Sequence, residues 1–199
     1  RGGSYGNQKM SIKFKKDFMT VSEIAALLGL SSRSRASITS VTTDARETES
    51  GSLFIALKGE RFDGHDFIGQ ALARGTSAVI AERMPEGLSA EEAERVLVVD
   101  NSLDALGKVA KAYKSRIKAR TIAVTGSVGK TTTKEFIYAV VSARFIAHKT
   151  EGNFNNEIGM PLSVLSMPET AQVCVLEMGM SQAGEISRMT HIANPDIAV

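Results

Sequence analysis

The chain has 199 residues, 43% of them apolar, and its 24 basic and 22 acidic side chains leave a net charge of +2. That is enough apolar residue to pack one large or two small domains, and the near balance of charge excludes a bulk electrostatic drive toward nucleic acid or an anionic membrane. No apolar run approaches the ~20 residues of a membrane-spanning helix, and the lone Cys174, inside the apolar run 173–176, excludes a disulfide framework and reads as a small core residue.

Residues 1–9, Arg-Gly-Gly-Ser-Tyr-Gly-Asn-Gln-Lys, have no apolar segment of a signal peptide and read as an expression scar, with Met10 as the native start. The expectation is a cytoplasmic protein in a reducing compartment. Thr20-Val-Ser-Glu23 is a capping box, Ile24, Leu27 and Leu28 form one apolar face, and Gly29 stops that helix. Residues 38–43 and 52–57 read as strands about a polar turn ending at Gly51. A short helix over 67–73 closes at Gly75, a strand covers 77–81, 85–94 is loop or short helix, and 95–99 is a strand. Leu106, Val109, Ala110, Tyr113 and Ile117 recur at helical spacing and predict a helix over 103–117. From Lys108 to Arg120 there are six basic residues and no acid, which reads as a solvated helix face because no aromatic or glycine pattern accompanies the charge.

Beyond this helix the pattern changes. A strand over 121–124 enters a glycine loop, then come a helix over 130–141, a strand at 145–148 and a helix over 157–165. In that helix Pro161 is tolerated only in the first turn. A continuous apolar strand over 172–177, a helix over 183–192 and the start of a strand at 196 follow. Strand and helix alternating in this way predict a parallel sheet with helices on both faces. The change of domain is expected near 116–120, and the last strand reads as unpaired, so that the second domain looks unfinished.

The loop is Gly126-Ser127-Val128-Gly129-Lys130-Thr131-Thr132. The common phosphate loop, G-x-x-x-x-G-K-[ST], would need a glycine at 124, where this chain has valine. The physics survives the shorter spacing: glycines let the backbone turn close to an anion, and the amides at a helix N-terminus point at it. Lys130 would offset the β- and γ-phosphate charge, and Thr131 would place a hydroxyl on Mg²⁺. Glu177 ends the next buried strand; acids at the carboxyl ends of parallel strands face the same crevice as such a loop, so Glu177 is the second candidate Mg²⁺ partner. Residues 151–157 hold Asn153, Asn155 and Asn156 at a strand-to-helix junction, where side-chain amides serve equally as turn formers or as groups offered to a ligand.

In this order the pieces resemble the Mur ligase family. Residues 126–132 are similar to the short phosphate loop of that family, with two residues between the glycines. KTTTKE (130–135), GNFNNEIGMPLSVL (152–165) and LEMGMSQAGEI (176–186) resemble in particular the members that join D-alanyl-D-alanine to UDP-N-acetylmuramoyl-tripeptide. VTTDARETESGSLFIALKGERFDGHDFIGQALARG (41–75) is similar to the UDP-substrate domain of the same enzymes, and the resemblance covers 19–199. It implies an α/β protein: a small mixed UDP-substrate domain over 10–118, then a partial parallel-sheet phosphate-loop ATPase domain over 119–199.

The implied chemistry is ATP-dependent amide formation in peptidoglycan precursor synthesis, through an acyl phosphate. ATP and Mg²⁺ are then the cofactors, and Lys130 and Glu177 the catalytic pair. Residues 126–132 hold the phosphates, Thr131 and Glu177 the metal, and Asn153, Asn155 and Asn156 face substrate or nucleotide. Thr43, Asp44, Ala45, Arg46, Lys58 and Gly59 hold the uridine diphosphate end, with Asp63, Gly64 and His65 nearby. On the residues alone, Asp44 pairs with Arg46 or caps a turn, and His65 orders the Asp63-Gly64 turn. Arg46 is the strongest phosphate candidate, its fork matching phosphate oxygens. The family has serine where this chain has Ala45, so one hydroxyl contact is missing or replaced.

The resemblance also implies a monomer, present here as an N-terminal fragment inactive by itself, with the adenine and dipeptide sites beyond Val199. Three competing readings are a ligase adding a single amino acid at position three, a non-catalytic binding module for the UDP-muramoyl ligand, and a generic phosphate-loop kinase or NTPase.

Overall fold

The computed structural model describes residues 11–59 and 62–199. The expectations for residues 1–9 and Met10 lie outside the described residues. The chain forms two compact units, Arg1–Ala105 and Leu106–Val199.

In the first unit the order is β1 (Ser11–Lys13), β2 (Met19–Thr20), α1 (Val21–Leu27), β3 (Ser37–Ile38) and β4 (Ser40–Thr42). Then come a 3-10 turn at Ala45–Glu47, β5 (Ser52–Ile55), a 3-10 turn at Gly64–Phe67, α2 (Ile68–Ala73), β6 (Ala78–Ala81), α3 (Ala90–Ala93) and β7 (Val96–Val98). The main sheet runs β1-β4-β5-β6-β7, with β1 antiparallel to β4 and the other pairs parallel. Antiparallel β2 and β3 form a separate two-stranded sheet. The capping box is present: the Thr20 side chain accepts from the Glu23 N–H, and Glu23 accepts from the Thr20 N–H at 2.7 Å. Phe54, Ile68, Leu72 and Val79 pack between α2 and the sheet, and β5 and β6 are buried at every position, Ser52 included. Sequence reading had assigned nothing before Thr20; β1 and β2 are too short to show a period.

α4 (Ser102–Arg116) bears the expected apolar stripe, with Leu106, Val109, Ala110, Tyr113 and Ile117 buried and Lys108, Lys111, Arg116 and Lys118 exposed. Most of this helix belongs to the second unit. The Tyr113 hydroxyl donates to the Met167 carbonyl at 2.6 Å, and Lys111 Nζ lies 2.8 Å from His191 Nε2. The division into compact units falls inside α4, after Ala105.

The second unit continues with β8 (Arg120–Val124), α5 (Lys130–Ser142), β9 (Ala147–Lys149), α6 (Gly159–Leu165), β10 (Val173–Glu177), α7 (Glu185–Ala193) and β11 (Ile197–Ala198). Its sheet is fully parallel in the order β11-β8-β10-β9. β10 is flanked on both sides and buried at all five residues, which accounts for its unbroken apolar run. Val124, Val173 and Val175 pack against Ile137, Tyr138 and Val141 of α5. α6 begins at Gly159, so Pro161 is its third residue, where no backbone N–H is needed. The last strand differs from expectation: β11 is paired, Ile197 opposite Ile122 and Ala198 opposite Ala123.

Candidate functional site

Strand period and loop geometry converge at the carboxyl ends of β8 and β10. Val173 and Val175 face α5, so period two puts Glu177 on that same face. β8 delivers the chain to an exposed loop over 125–129, where Val128 is 91% exposed. Gly126 and Gly129 have φ of 145° and 80°, a region that L side chains rarely adopt, and Gly129 is the N-cap of α5. No side chain caps α5, so the amides of its first turn are unclaimed by a capping group. The Lys130 ammonium folds back to donate to the Gly126 carbonyl at 2.8 Å. Thr125 Oγ1 donates to the Met178 carbonyl at 2.9 Å and ties the loop to the end of β10. Ser127 and Thr132 are exposed. The arrangement is an exposed glycine loop at an uncapped helix N-terminus with one ammonium, the electrostatics an anion needs.

Glu177 is 1% exposed and aims at this loop. Its Oε1 accepts from Thr131 Oγ1 at 3.1 Å and from Asn155 Nδ2 at 2.8 Å. Its Oε2 is buried and accepts no hydrogen bond. A buried carboxylate oxygen without a donor is uncommon and marks a place where an unseen cation or water belongs. The structure thus brings together Thr131 and Glu177, the two residues expected on Mg²⁺, and adds Asn155.

The other two asparagines divide. Asn156 Oδ1 accepts from the N–H groups of Ile158 and Gly159 at 3.2 and 2.8 Å, so that side chain opens α6. Asn153 is exposed, and its carbonyl accepts from the Asn155 N–H at 2.8 Å.

Sequence reasoning missed Lys134, which is 1% exposed inside α5. Its Nζ donates to the Thr150 carbonyl at 2.8 Å and lies 3.2 Å from Glu135 Oε1 and 3.6 Å from Glu177 Oε2. Lys149 Nζ in turn reaches Glu135 Oε2 at 2.5 Å. The Lys149 and Lys134 ammonium groups hold the Glu135 carboxyl below its ordinary range, and Glu135 holds Lys149 above its own. Thr150 Oγ1 accepts from the Glu177 N–H at 3.0 Å. The available signal was helical spacing: Lys134 stands one turn after Lys130, on the inner face.

In the first unit Asp44 pairs with Arg46, and Asp63 with His65. Asp44 Oδ1 accepts from the Arg46 N–H and Nε, both at 2.9 Å, and Arg46 Nη2 reaches Asp44 Oδ2 at 2.6 Å. The Arg46 side chain is 79% exposed. Its hydrogen bonds hold the Asp44 carboxyl low, and Asp44 raises Arg46. The Ala45 side chain packs in the core with Phe54 and Ala71, so it faces inward and not toward a ligand. Thr43 is half-buried, and Lys58 and Gly59 are exposed. Lys58 pairs with Asp63 in an antiparallel bridge. A Cβ on Gly64 would stand 2.8 Å from both the backbone N and O of Leu57, so only glycine fits there.

His65 is a correction to the expected substrate set. Its ring is 1% exposed, Nδ1 is 2.6 Å from Asp63 Oδ1, and Nε2 accepts from the Glu82 N–H at 2.9 Å. The acceptor role of Nε2 places the proton on Nδ1. Both ring nitrogens are engaged, so His65 ties the Asp63 turn to the end of β6 instead of facing a ligand. Burial works against ionisation of Asp63, but hydrogen bonds from the His65 backbone, the His65 ring and Arg83 outweigh it and hold its pKa at about 2.

Comparison with known proteins agrees with this geometry. Residues 124–199 match the Mur ligase middle domain, and residues 37–114 match the Mur ligase family catalytic domain. UDP-N-acetylmuramoyl-tripeptide–D-alanyl-D-alanine ligase of Bacillus subtilis is 52% identical over 159 residues, 80% of this chain and 34% of that protein. The Escherichia coli protein of the same name is 38% identical over 159 residues, again 80% and 34%. A crystal structure of MurF from Acinetobacter baumannii superposes with a TM-score of 0.79 at 33% identity, covering 90% of this chain and 40% of that one. MurF from Thermotoga maritima in complex with ADP gives 0.72 at 40% identity, covering 78% and 35%. The chain spans about a third of the length of the curated relatives it matches. Two family matches in chain order, on a parallel sheet whose glycine loop faces a buried glutamate, establish that the chain belongs to the Mur ligase family.

Proposed function

We propose that this chain supplies the UDP-substrate unit and the phosphate-binding part of an ATP-dependent ligase. Its reaction joins D-alanyl-D-alanine to UDP-N-acetylmuramoyl-tripeptide, as the names of its relatives state. The observation that carries the reading is the Thr131–Glu177 hydrogen bond of 3.1 Å, with the second Glu177 oxygen buried and without a hydrogen bond.

A carboxylate is a poor acceptor for an amine because oxide would have to leave. In the proposed reaction a tripeptide carboxylate oxygen attacks the γ-phosphorus, the bond to ADP breaks, and an acyl phosphate forms. The dipeptide amine then attacks the acyl carbon, inorganic phosphate leaves, and the amine loses a proton. The amides of residues 126–132 bind and orient the phosphates, and Lys130 leaves the Gly126 carbonyl to offset charge where two anions meet. Thr131 and the free oxygen of Glu177 fit Mg²⁺, a hard cation that takes carboxylate and hydroxyl oxygens. When bound, Mg²⁺ would supply neutralisation of phosphate charge, held by Thr131 and Glu177. Asn155 holds the Glu177 carboxylate in register. Thr43, Asp44, Arg46, Lys58 and Gly59 are the uridine diphosphate candidates, with Arg46 exchanging Asp44 for phosphate. Asn153 faces substrate or nucleotide. A monomer in the cytoplasm, where ATP and UDP-linked precursors meet, completes the reading.

Calorimetry tests it. Mg-ADP binding should weaken in Lys130→Ala and persist in Arg46→Ala, whereas binding of the UDP-muramoyl tripeptide should show the reverse. Equal effects of both substitutions on both ligands would refute the assignment. D-alanyl-D-alanine ligation by these residues alone would exclude a non-catalytic binding module.

A further inference from the structure

Lys134 is the only fully buried residue of α5, and it lies in a line of alternating charges, Glu177, Lys134, Glu135 and Lys149. A buried ammonium beside a buried carboxylate compensates a charge that neither could carry alone in a low-dielectric interior. The bonding, however, goes elsewhere. Lys134 Nζ gives its short contacts to the Thr150 carbonyl at 2.8 Å and to Glu135 at 3.2 Å. It stands off from Glu177 Oε2 at 3.6 Å, beyond hydrogen-bond range. Glu135 is anchored from its other side by Lys149, whose Nζ lies 4.7 Å from the centre of the Tyr138 ring. Thr131 and Asn155 meanwhile occupy Glu177 Oε1 alone. The result is a carboxylate that is oriented and charge-compensated, with the lone pairs of one oxygen unused.

We infer that Lys134 is a positioning residue that stands in for a divalent cation's charge beside Glu177, and that lysine and cation compete electrostatically for that carboxylate. The inference rests on the reading of Thr131 and Glu177 as the cation site. When the cation is absent, the Lys134 ammonium balances the charge of Glu177 from 3.6 Å. When it arrives on Oε2, the two positive charges repel, and Glu135 and Thr150 retain the ammonium. Linkage makes the coupling reciprocal: the part of the stability that comes from the attraction of Lys134 to Glu177 is the part that opposes cation binding.

The test uses wild type, Lys134→Met, Lys134→Gln and Glu177→Gln. Thermal melting is followed with and without Mg²⁺, and Mg²⁺ is titrated by calorimetry with ADP held constant and with no nucleotide. In Mg²⁺-free buffer Lys134→Met should melt lower by an amount on the order of 10 °C. Mg²⁺ should then restore more of that loss than it adds to wild type, and the half-saturating Mg²⁺ with ADP should fall at least about fivefold. Lys134→Gln keeps a donor for the Thr150 carbonyl without the charge; it should show the same gain in Mg²⁺ affinity even if the methionine variant does not fold. Glu177→Gln should abolish the gain in either background. A purely structural lysine predicts lost stability that Mg²⁺ does not restore and Mg²⁺ binding unchanged or weaker, which would overturn the inference. If wild type responds to Mg²⁺ and neither Lys134 variant responds more strongly, only this inference fails. If no variant responds to Mg²⁺ with ADP, the cation site fails and the inference with it.

Discussion

The candidate ligand-binding residues of the two units are partnered in opposite ways. In the first, Asp44 and Arg46 satisfy each other, Asp63 is held by His65 and Arg83, and both His65 nitrogens have partners. In the second, the first turn of α5 has no capping side chain and one buried oxygen of Glu177 accepts no hydrogen bond. Both regions carry the residue types that suggest phosphate chemistry. Among these charged candidates residue type therefore does not separate a group that holds the fold from one poised for a ligand; an ionisable oxygen left without a hydrogen bond does. On this criterion His65 belongs to the fold and Glu177 to the site, while Arg46 is exposed enough to change partners.

The largest effect should come from the residue assigned most firmly to the fold. His65→Ala strips the buried Glu82 N–H of its acceptor and should destabilise the first unit by about 3 kcal/mol. Hydrogen exchange should accelerate in β5 and β6 and stay unchanged in β8 and β10; uniform protection would break the comparison. Close behind is Lys130→Ala, expected to weaken Mg-ADP binding about 100-fold with no change in melting temperature, since its one hydrogen bond is to Gly126 on the exposed loop. A fall in stability without loss of nucleotide affinity would move Lys130 to the structural side.

Arg46→Ala should cost about tenfold in UDP affinity and nothing measurable in stability, because exposed ion pairs stabilise little. Unchanged UDP affinity would assign the Asp44–Arg46 pair to the fold. The smallest effect concerns acid. The Asp63 pKa of about 2 lies below the unfolded value of about 3.9. Its contribution is therefore fully present above about pH 4 and lost as the pH falls through about 2. Asp63→Asn should flatten that limb of the urea midpoint against pH, and an unchanged limb would remove Asp63 from the set of stabilising groups.

The alternation of strands and helices, the capping box at Thr20 and the loop over 126–132 were legible in the sequence because each depends on local period or local backbone geometry. The position of Glu177 was legible too, since a long apolar strand has only one carboxyl end. Three features were not. α4 joins the second unit through Tyr113 and Met167, a contact far apart in sequence. Lys134 looks like any helix lysine until the acids around it are placed. The roles of His65 and Asn156 turn on which backbone N–H groups the fold brings to them.

The most direct test of the phosphate site is to follow backbone amide resonances of the chain during titration with Mg-ADP. The account predicts that the largest shifts fall on Gly126, Ser127, Val128, Gly129, Lys130, Thr131 and Thr132, with Glu177 moving alongside, and that Lys130→Ala removes them. Shifts centred anywhere else, or a titration that leaves those seven amides still, would contradict it.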